Sequence, residues 1–400
     1  MQAYHFFSPL LAPNKAWAAF DWQPFPAVAT ELSTLSEAID HCAALAGRLP
    51  LWVPCKPEWL QQPGFREFIK KIGRDQTILA FPHEAAATKP YETACQSLRK
   101  DGHHVALHVA DSSILKLLSV ASFDHVAFDA GQARERTPLI DLINAHQFGF
   151  QLSAREVRTH EMFDWTVAKR FSLMSSHFVS TVDVRAPVDA DTTRLKLLKL
   201  LSLVVKDADT REIEDIFREE PKLSYNLLRL VNSVAVGPKT PITGFNQAIT
   251  VLGRRQLQRW LQLLIYANQF GQAGQPNPLM QAAAVRGKQL ELLAAHAGPI
   301  DGLDDAAEAA FMTGIFSLLD TLLHLPMSEV LASVPLADPI VAALSTREGK
   351  LGGLLAAIID GGEGAHEQAV ARLTELDISP EQHLAAQANA FTWASKITLE

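Results

Sequence analysis

At 400 residues the chain exceeds what one hydrophobic core usually serves, and a prior of about 150 residues per domain points to two or three. Apolar residues make up 48% and charged residues 20%, a globular composition that excludes a disordered chain and a membrane-embedded one. With 36 Lys plus Arg against 44 Asp plus Glu the formal charge is −8, which argues against non-specific nucleic-acid binding, since phosphates need a cationic surface. The N-terminal stretch Met1–Leu11 lacks the basic start and small-residue cleavage site of a leader. The most apolar run, Phe311–Leu325, is interrupted by Asp320 and His324, so no membrane span is expected. Cys42, Cys55 and Cys95 are odd in number and widely spaced, which fits free thiols in a reducing cytoplasm better than a disulfide framework or a zinc ribbon.

From the N-terminus, short β-rich runs alternate with helix-like stretches. The strand candidates are His5–Ser8, Ala18–Trp22, Leu51–Cys55, Thr77–Phe81, Val105–Val109, His125–Asp129, Phe150–Ser153 and Phe171–Phe178. Amphipathic segments fall between several of them, at Glu58–Ile72, Ser112–Val120 and Pro138–Ala145. Strand, helix, strand in repetition implies parallel pairing, because a parallel crossover needs a helix-sized connection. Eight candidates in series predict a closed (β/α)₈-type barrel, with an open doubly wound sheet as the alternative. Only the turn-like Ala12-Pro13-Asn14-Lys15 separates the first two, so the barrel opens with a hairpin. The short length of this half predicts trimmed helices.

The polar stretch Asp183–Asp191, with Pro187 inside it, reads as a linker. Beyond it the period changes to 3.6 and predicts an all-α domain. Helices are expected at Thr193–Val205, after the capping-box spacing of Asp209–Glu212, and from Pro221 to Val234. Phe245–Leu252, Gln256–Phe270, Pro278–Ala295, Asp304–Leu322, Ser328–Ser333, Asp338–Leu344, Leu351–Asp360, Ala365–Glu375 and Pro380–Lys396 follow. The expected domains are 1–184, a linker at 185–192, 193–383, and a C-terminal helix within 384–400.

The run Glu212–Phe217, then Glu220-Pro221-Lys222-Leu223-Ser224-Tyr225-Asn226-Leu227-Leu228-Arg229-Leu230-Val231-Asn232-Ser233, resembles the HDOD domain. So do Pro241-Ile242-Thr243 and Gln247-Ala248-Ile249-Thr250-Val251-Leu252-Gly253. Phe311–Asp320 and Leu325-Pro326-Met327 resemble the subfamily in which HDOD follows an EAL-type domain. The resemblance therefore implies a two-domain EAL–HDOD (YuxH-like) signalling protein. Its first half would be a degenerate TIM-type EAL barrel and its second half an all-helical, HD-superfamily-like domain. EAL barrels hydrolyse cyclic di-GMP with two divalent ions held by carboxylates and an Asn at strand ends.

Set against that family pattern, this chain lacks the ligands. The second strand reads Ala18-Ala19-Phe20-Asp21-Trp22 without the signature Glu. Pro54, Ala80, His108, Val109 and Ala127 stand at the other expected positions, and Arg155 and Arg158 replace two glutamates. Hard cations are held by oxygen ligands, and apolar replacements supply none. The resemblance thus implies no hydrolysis and no bound cofactor. His108, Arg155 and Arg158 remain as a vestigial pocket, whose arginines would meet a phosphate or else pair with neighbouring acids. His103, His104, His108 and His125 lie close in sequence, but His104 and His108 on one strand would be about 13 Å apart, too far to share a metal. In the helical half, Ser317 and Leu318 stand where the HD family carries its His-Asp pair, and Asp320 with His324 reads as a local polar pair.

Arg229, Asn232, Ser233, Arg254, Arg255 and Arg259 form a candidate interaction surface. Its alternative is a capped helix junction at Asn232-Ser233 and a solvated basic face, to which Arg194, Lys196 and Lys199 would add. The expected function is non-enzymatic signal transduction in cyclic di-GMP-linked regulation of motility, attachment or virulence. Its partners would be other signalling proteins. Three competitors are residual phosphodiesterase or other phosphohydrolase activity, cyclic di-GMP binding without hydrolysis, and a nucleic-acid-associated regulator, which the −8 charge speaks against.

Overall fold

The computed structural model describes residues 3–26, 31–46, 49–73, 76–86, 89–110, 112–116, 118, 121–185, 253–267 and 276–397, with isolated positions between 199 and 247. Beyond Arg185 the expected linker lies outside the described residues, as do Arg194, Lys196, Arg229, Ser233 and the side chains of Cys42 and Arg254. So does most of the region read as helices between 193 and 252. The chain divides into two compact units, Met1–Thr181 with His383–Ala388, and Val182–Gln382 with Asn389–Glu400.

The first unit is built on a closed barrel of eight strands in sequence order. They are β1 (Tyr4–Leu11), β2 (Trp17–Phe25), β3 (Leu51–Pro54), β4 (Thr77–Phe81), β5 (His104–Val109), β6 (His125–Asp129), β7 (Gln151–Arg155) and β8 (Leu173–Ser175). All eight fall on the runs read from the sequence. β1 and β2 form the expected antiparallel hairpin, and Lys15 takes a left-handed conformation in its turn (φ 66°). Every pair from β2 to β8 is parallel, and β8 closes the ring antiparallel to β1 through Leu10↔Ser175 and Leu11↔Met174. Leu10, Ala19, Trp52, Ile78, Ala80, Ala106, Ala127 and Leu173 form a buried cluster drawn from seven of the strands. Alanine on four of those strands leaves room for Trp52, the large-and-small alternation a narrow barrel needs.

The connecting helices are α1 (Leu32–Ala46), α2 (Pro63–Ile72), α3 (Lys89–Lys100), α4 (Ala130–Arg136), α5 (Leu139–Gln147) and α6 (His160–Ala168). The expected helix Glu58–Ile72 is two elements: a 3₁₀ turn over Pro57–Gln61, then α2. Pro63 carries no N–H to continue the first and starts the second at its first turn. The stretch expected as a helix at Ser112–Val120 contains a 3₁₀ turn, Ser112–Lys116, in keeping with trimmed connections. Asp129 caps α4 by accepting the Gln132 N–H at 2.9 Å, and Thr159 caps α6 through the Met162 N–H at 3.1 Å.

The second unit is helical. Its described elements are α7 (Arg254–Ala267), α8 (Pro278–Ala294), α9 (Ala306–Phe316), α10 (Leu319–Leu323), α11 (Met327–Ser333), α12 (Asp338–Ser345), α13 (Gly349–Gly362) and α14 (His366–Glu375). The last helix of the chain, α15 (Pro380–Ala394), whose His383–Ala388 stretch is grouped with the first unit, opens with a reciprocal capping box between Ser379 and Gln382. The helix expected over Asp304–Leu322 breaks at Ser317 and Leu318, where the buried Ser317 hydroxyl donates to the Gly314 carbonyl at 2.7 Å. α8 and α9 approach closely at two glycines. A Cβ on Gly314 would stand 2.5 Å from the Arg286 carbonyl oxygen. The segment Ala306–Leu323 has the length and hydropathy of a membrane span, yet 72% of it is buried in the fold.

Candidate functional site

Along each parallel strand of a barrel, alternate residues point inward, and the strand ends present the last of them at the mouth. At the C-terminal mouth the chain places Asp21 of β2, His108 of β5 and Arg155 of β7 together. Asp21 is 3% exposed. The Arg155 guanidinium grips its carboxylate in a two-pronged pair, Nη1 donating to Oδ1 at 2.7 Å and Nη2 to Oδ2. Gln23 Nε2 also donates to Oδ2. His108 Nε2 accepts a long hydrogen bond from Trp52 Nε1 at 3.4 Å. Burial, aided by the Arg155 charge and opposed by Asp21, lowers the His108 pKa to about 4, so the imidazole is neutral at pH 7.

Two of the three residues expected as a vestigial pocket therefore meet, and the third does not. Arg158 donates to Glu156 at 2.6 Å, with both side chains largely in solvent. The residue missing from the sequence reading is Asp21. The family pattern puts a Glu on β2, which this strand lacks, and the carboxylate that Arg155 holds is that of Asp21 on the same strand. A separate recess beside the ends of β5 and β6 is lined by Val109, Ser112, Phe128, Asp129, Gln132 and Arg136, and by none of Asp21, His108 and Arg155.

A second cluster sits at the opposite, N-terminal end. Asp124, just before β6, takes Arg99 Nη1 at 2.5 Å and the Val105 N–H at 3.0 Å. His104 Nδ1 lies 3.2 Å from its Oδ2, and His125 Nε2 lies 3.8 Å from its Oδ1. The histidines are thus divided: His108 belongs to one end, His104 and His125 to the other. The pairing was hidden because it runs across neighbouring strands, β5 and β6, where Ala106 faces His125. Burial lowers the His125 pKa to about 4.

In the helical unit, Asn232 acts on the backbone. Its Nδ2 donates to the carbonyls of Leu228 at 2.7 Å and Ile242 at 2.8 Å, and its Oδ1 accepts the Ile242 N–H at 2.8 Å. Arg255 donates to Asp305 at 2.6 Å. Arg259 is enclosed: it pairs with Glu291 and Glu308 at 3.0 and 2.8 Å and lies over the Phe311 ring, 4.6 Å from its centroid. Ser317 and Leu318, expected from the resemblance to stand where the HD family carries its His-Asp pair, are both buried, and Arg286 Nη1 donates to Ser317 Oγ at 3.3 Å. Asp320 Oδ1 accepts the Thr321 N–H at 2.7 Å, and His324 caps α10 in a left-handed conformation (φ 52°).

Compared with known proteins, residues 192–328 match the HDOD domain. An uncharacterized protein, YuxH, of Bacillus subtilis is 24% identical over 279 residues, covering 67% of this chain and 66% of that protein. The cyclic di-GMP phosphodiesterase CdgJ of Vibrio cholerae is 28% identical over 290 residues, covering 71% of this chain and 65% of that protein. The chain thus spans slightly less than two thirds of either relative. Among solved structures, the EAL domain of Mycobacterium smegmatis DcpA aligns with a TM-score of 0.36 and 18% identity, over 44% of this chain and 90% of that domain.

Proposed function

We propose that this chain, an EAL–HDOD protein by its eight-stranded barrel and its HDOD residues 192–328, is a signalling protein that works by binding rather than catalysis. Its pathway would be cyclic di-GMP-linked regulation, its HDOD half a module for contact with other signalling proteins, and its barrel a scaffold or receptor that modulates that contact. The boundaries 1–184 and 193–383 belong to the same reading.

The observation that carries it is the Asp21–Arg155 pair. A two-ion hydrolytic site needs several oxygen donors free to face the metals. At the barrel mouth the buried carboxylate is already taken by a guanidinium, a fixed cation where the metals would sit. Pro54, Ala80 and Ala127 supply no side-chain oxygen on their strands, and Asp129 spends one carboxylate oxygen as a helix cap. Coulomb repulsion from Arg155 would further weaken any divalent ion there.

The resemblance to CdgJ, a phosphodiesterase by name, favours a second reading in which the barrel retains hydrolysis. Incubation of the full chain with cyclic di-GMP and Mg²⁺ or Mn²⁺, followed by chromatography of the products, separates the two. The binding reading expects no linear dinucleotide above the no-protein control. Turnover that disappears in Asp21→Asn would overturn it. Calorimetry with the same nucleotide then distinguishes a receptor, which gives saturable heat, from a scaffold, which gives none.

A further inference from the structure

We propose that the N-terminal end of the barrel holds one divalent transition-metal ion, of the zinc type, between His104, Asp124 and His125. The site joins β5 to β6 at the end of the barrel opposite Asp21 and Arg155, so it is structural in role. It stands whether or not the mouth binds a nucleotide.

The ligand atoms of the three side chains all lie within 4.8 Å of one another. Two imidazoles and one carboxylate form a borderline donor set that suits zinc, cobalt, nickel or copper and disfavours magnesium or calcium, which prefer all-oxygen sites. The decisive residue is His125. It is 4% exposed, yet among the described residues neither ring nitrogen has a hydrogen-bond partner: Nδ1 is buried without one, and Nε2 stands 3.8 Å from Asp124 Oδ1. That distance is too long for hydrogen bonding. It lies within about 0.5 Å of the ~3.3 Å separation of two tetrahedral donors that share one metal at about 2.0–2.1 Å from each, so a small ring movement completes the site. His104 completes the set from the solvent side, its side chain 45% exposed, which provides an entry path.

Asp124 has capacity for this. A carboxylate offers about four lone-pair positions. Arg99 and His104 approach Oδ2, while the Val105 N–H takes one position on Oδ1 and leaves the side towards His125. Arg99 fixes the carboxylate in place and also reduces its charge, so the site should be weaker than one built on thiolates. Water would fill the remaining coordination position.

The test uses the full chain, stripped of metal with a chelator and dialysed, then titrated with Co²⁺ by visible absorption and with Zn²⁺ by calorimetry. The expected result is one saturable equivalent with the absorption of four-coordinate cobalt, and a rise in melting temperature with zinc. His104→Gln, at a half-exposed position that leaves the fold intact, should weaken binding at least about 10-fold. His108→Gln, at the other end, should not change it. The absence of a saturable equivalent in the unaltered chain would overturn the proposal. So would His104→Gln binding as tightly as the parent, because the ion would then sit on other histidines.

Discussion

At the C-terminal end of the barrel Asp21 faces Arg155, and at the N-terminal end Asp124 faces Arg99. Both carboxylates are inside, both arginines come from a distant part of the chain, and histidine stands beside each pair. They differ in how the carboxylate is shared. Asp21 receives both prongs of one guanidinium and an amide, which closes the cluster on itself. Asp124 divides its oxygens among an arginine, a backbone N–H and a histidine, and leaves His125 facing it at a distance that no hydrogen bond spans. The same residue types can therefore close one cluster on itself and leave a histidine of another 3.8 Å from the carboxylate it faces. At Asp21 the guanidinium meets both carboxylate oxygens, whereas at Asp124 Arg99 Nη1 meets Oδ2.

The largest effect is expected from breaking the closed end. Arg155→Met strands a buried charge on Asp21 and should lower stability by about 3–5 kcal/mol in urea unfolding. The double change Arg155→Met with Asp21→Leu should recover much of that loss, since an apolar pair of similar volume avoids the desolvation. If Arg155→Met alone proved neutral, the pair would be an incidental surface contact and the contrast between the ends would collapse.

Acid is the next lever. His5 and His108 both have folded pKa values lowered to about 4, below the ordinary 6.5. The unfolded chain therefore takes up their protons first. Stability is fully present above pH 6.5 and falls as pH drops from 6.5 towards 4, by at most about 3 kcal/mol for each histidine. Urea midpoints measured across that range should decline in the parent and decline less in His108→Gln. An unchanged slope in that variant would place His108 in ordinary solvent.

A smaller loss is expected from Arg99→Met, about 1–3 kcal/mol, because Val105 and His104 still attend Asp124. A loss as large as that of Arg155→Met would mean the two ends do not differ. The smallest change is Arg158→Ala. Its partner Glu156 is 44% exposed, and such pairs contribute about 0–1 kcal/mol, so the urea midpoint should barely move.

The eight strands were legible because a barrel strand needs a compact run of apolar and β-branched residues at each stave, and Leu51–Pro54 or Thr77–Phe81 announce themselves that way. Helices were harder to read. α3 buries only Cys95 and Leu98, and α4 is seven residues long, so neither carries a full apolar stripe. The helix ends that were misplaced, at Pro63 and at Ser317–Leu318, lie where a missing N–H or a hydroxyl–carbonyl bond interrupts a pattern that otherwise continues. Neither end of the barrel could be read as a site in full. Arg155 and Asp21 are 134 positions apart, and His104 and His125 meet through strand pairing, a relation that spacing along one strand does not contain.

The antiparallel stave β1 has a consequence for synthesis. Its closing partner, β8, is paired through Leu10↔Ser175. At ribosomal rates of about 5–20 residues per second, the first strand waits on the order of ten to thirty seconds before the last stave exists. Through that interval the β1–β2 hairpin offers a bare edge, of the kind that recruits neighbouring chains. Crowded translation, more than the stability of the finished barrel, should set the yield of folded protein.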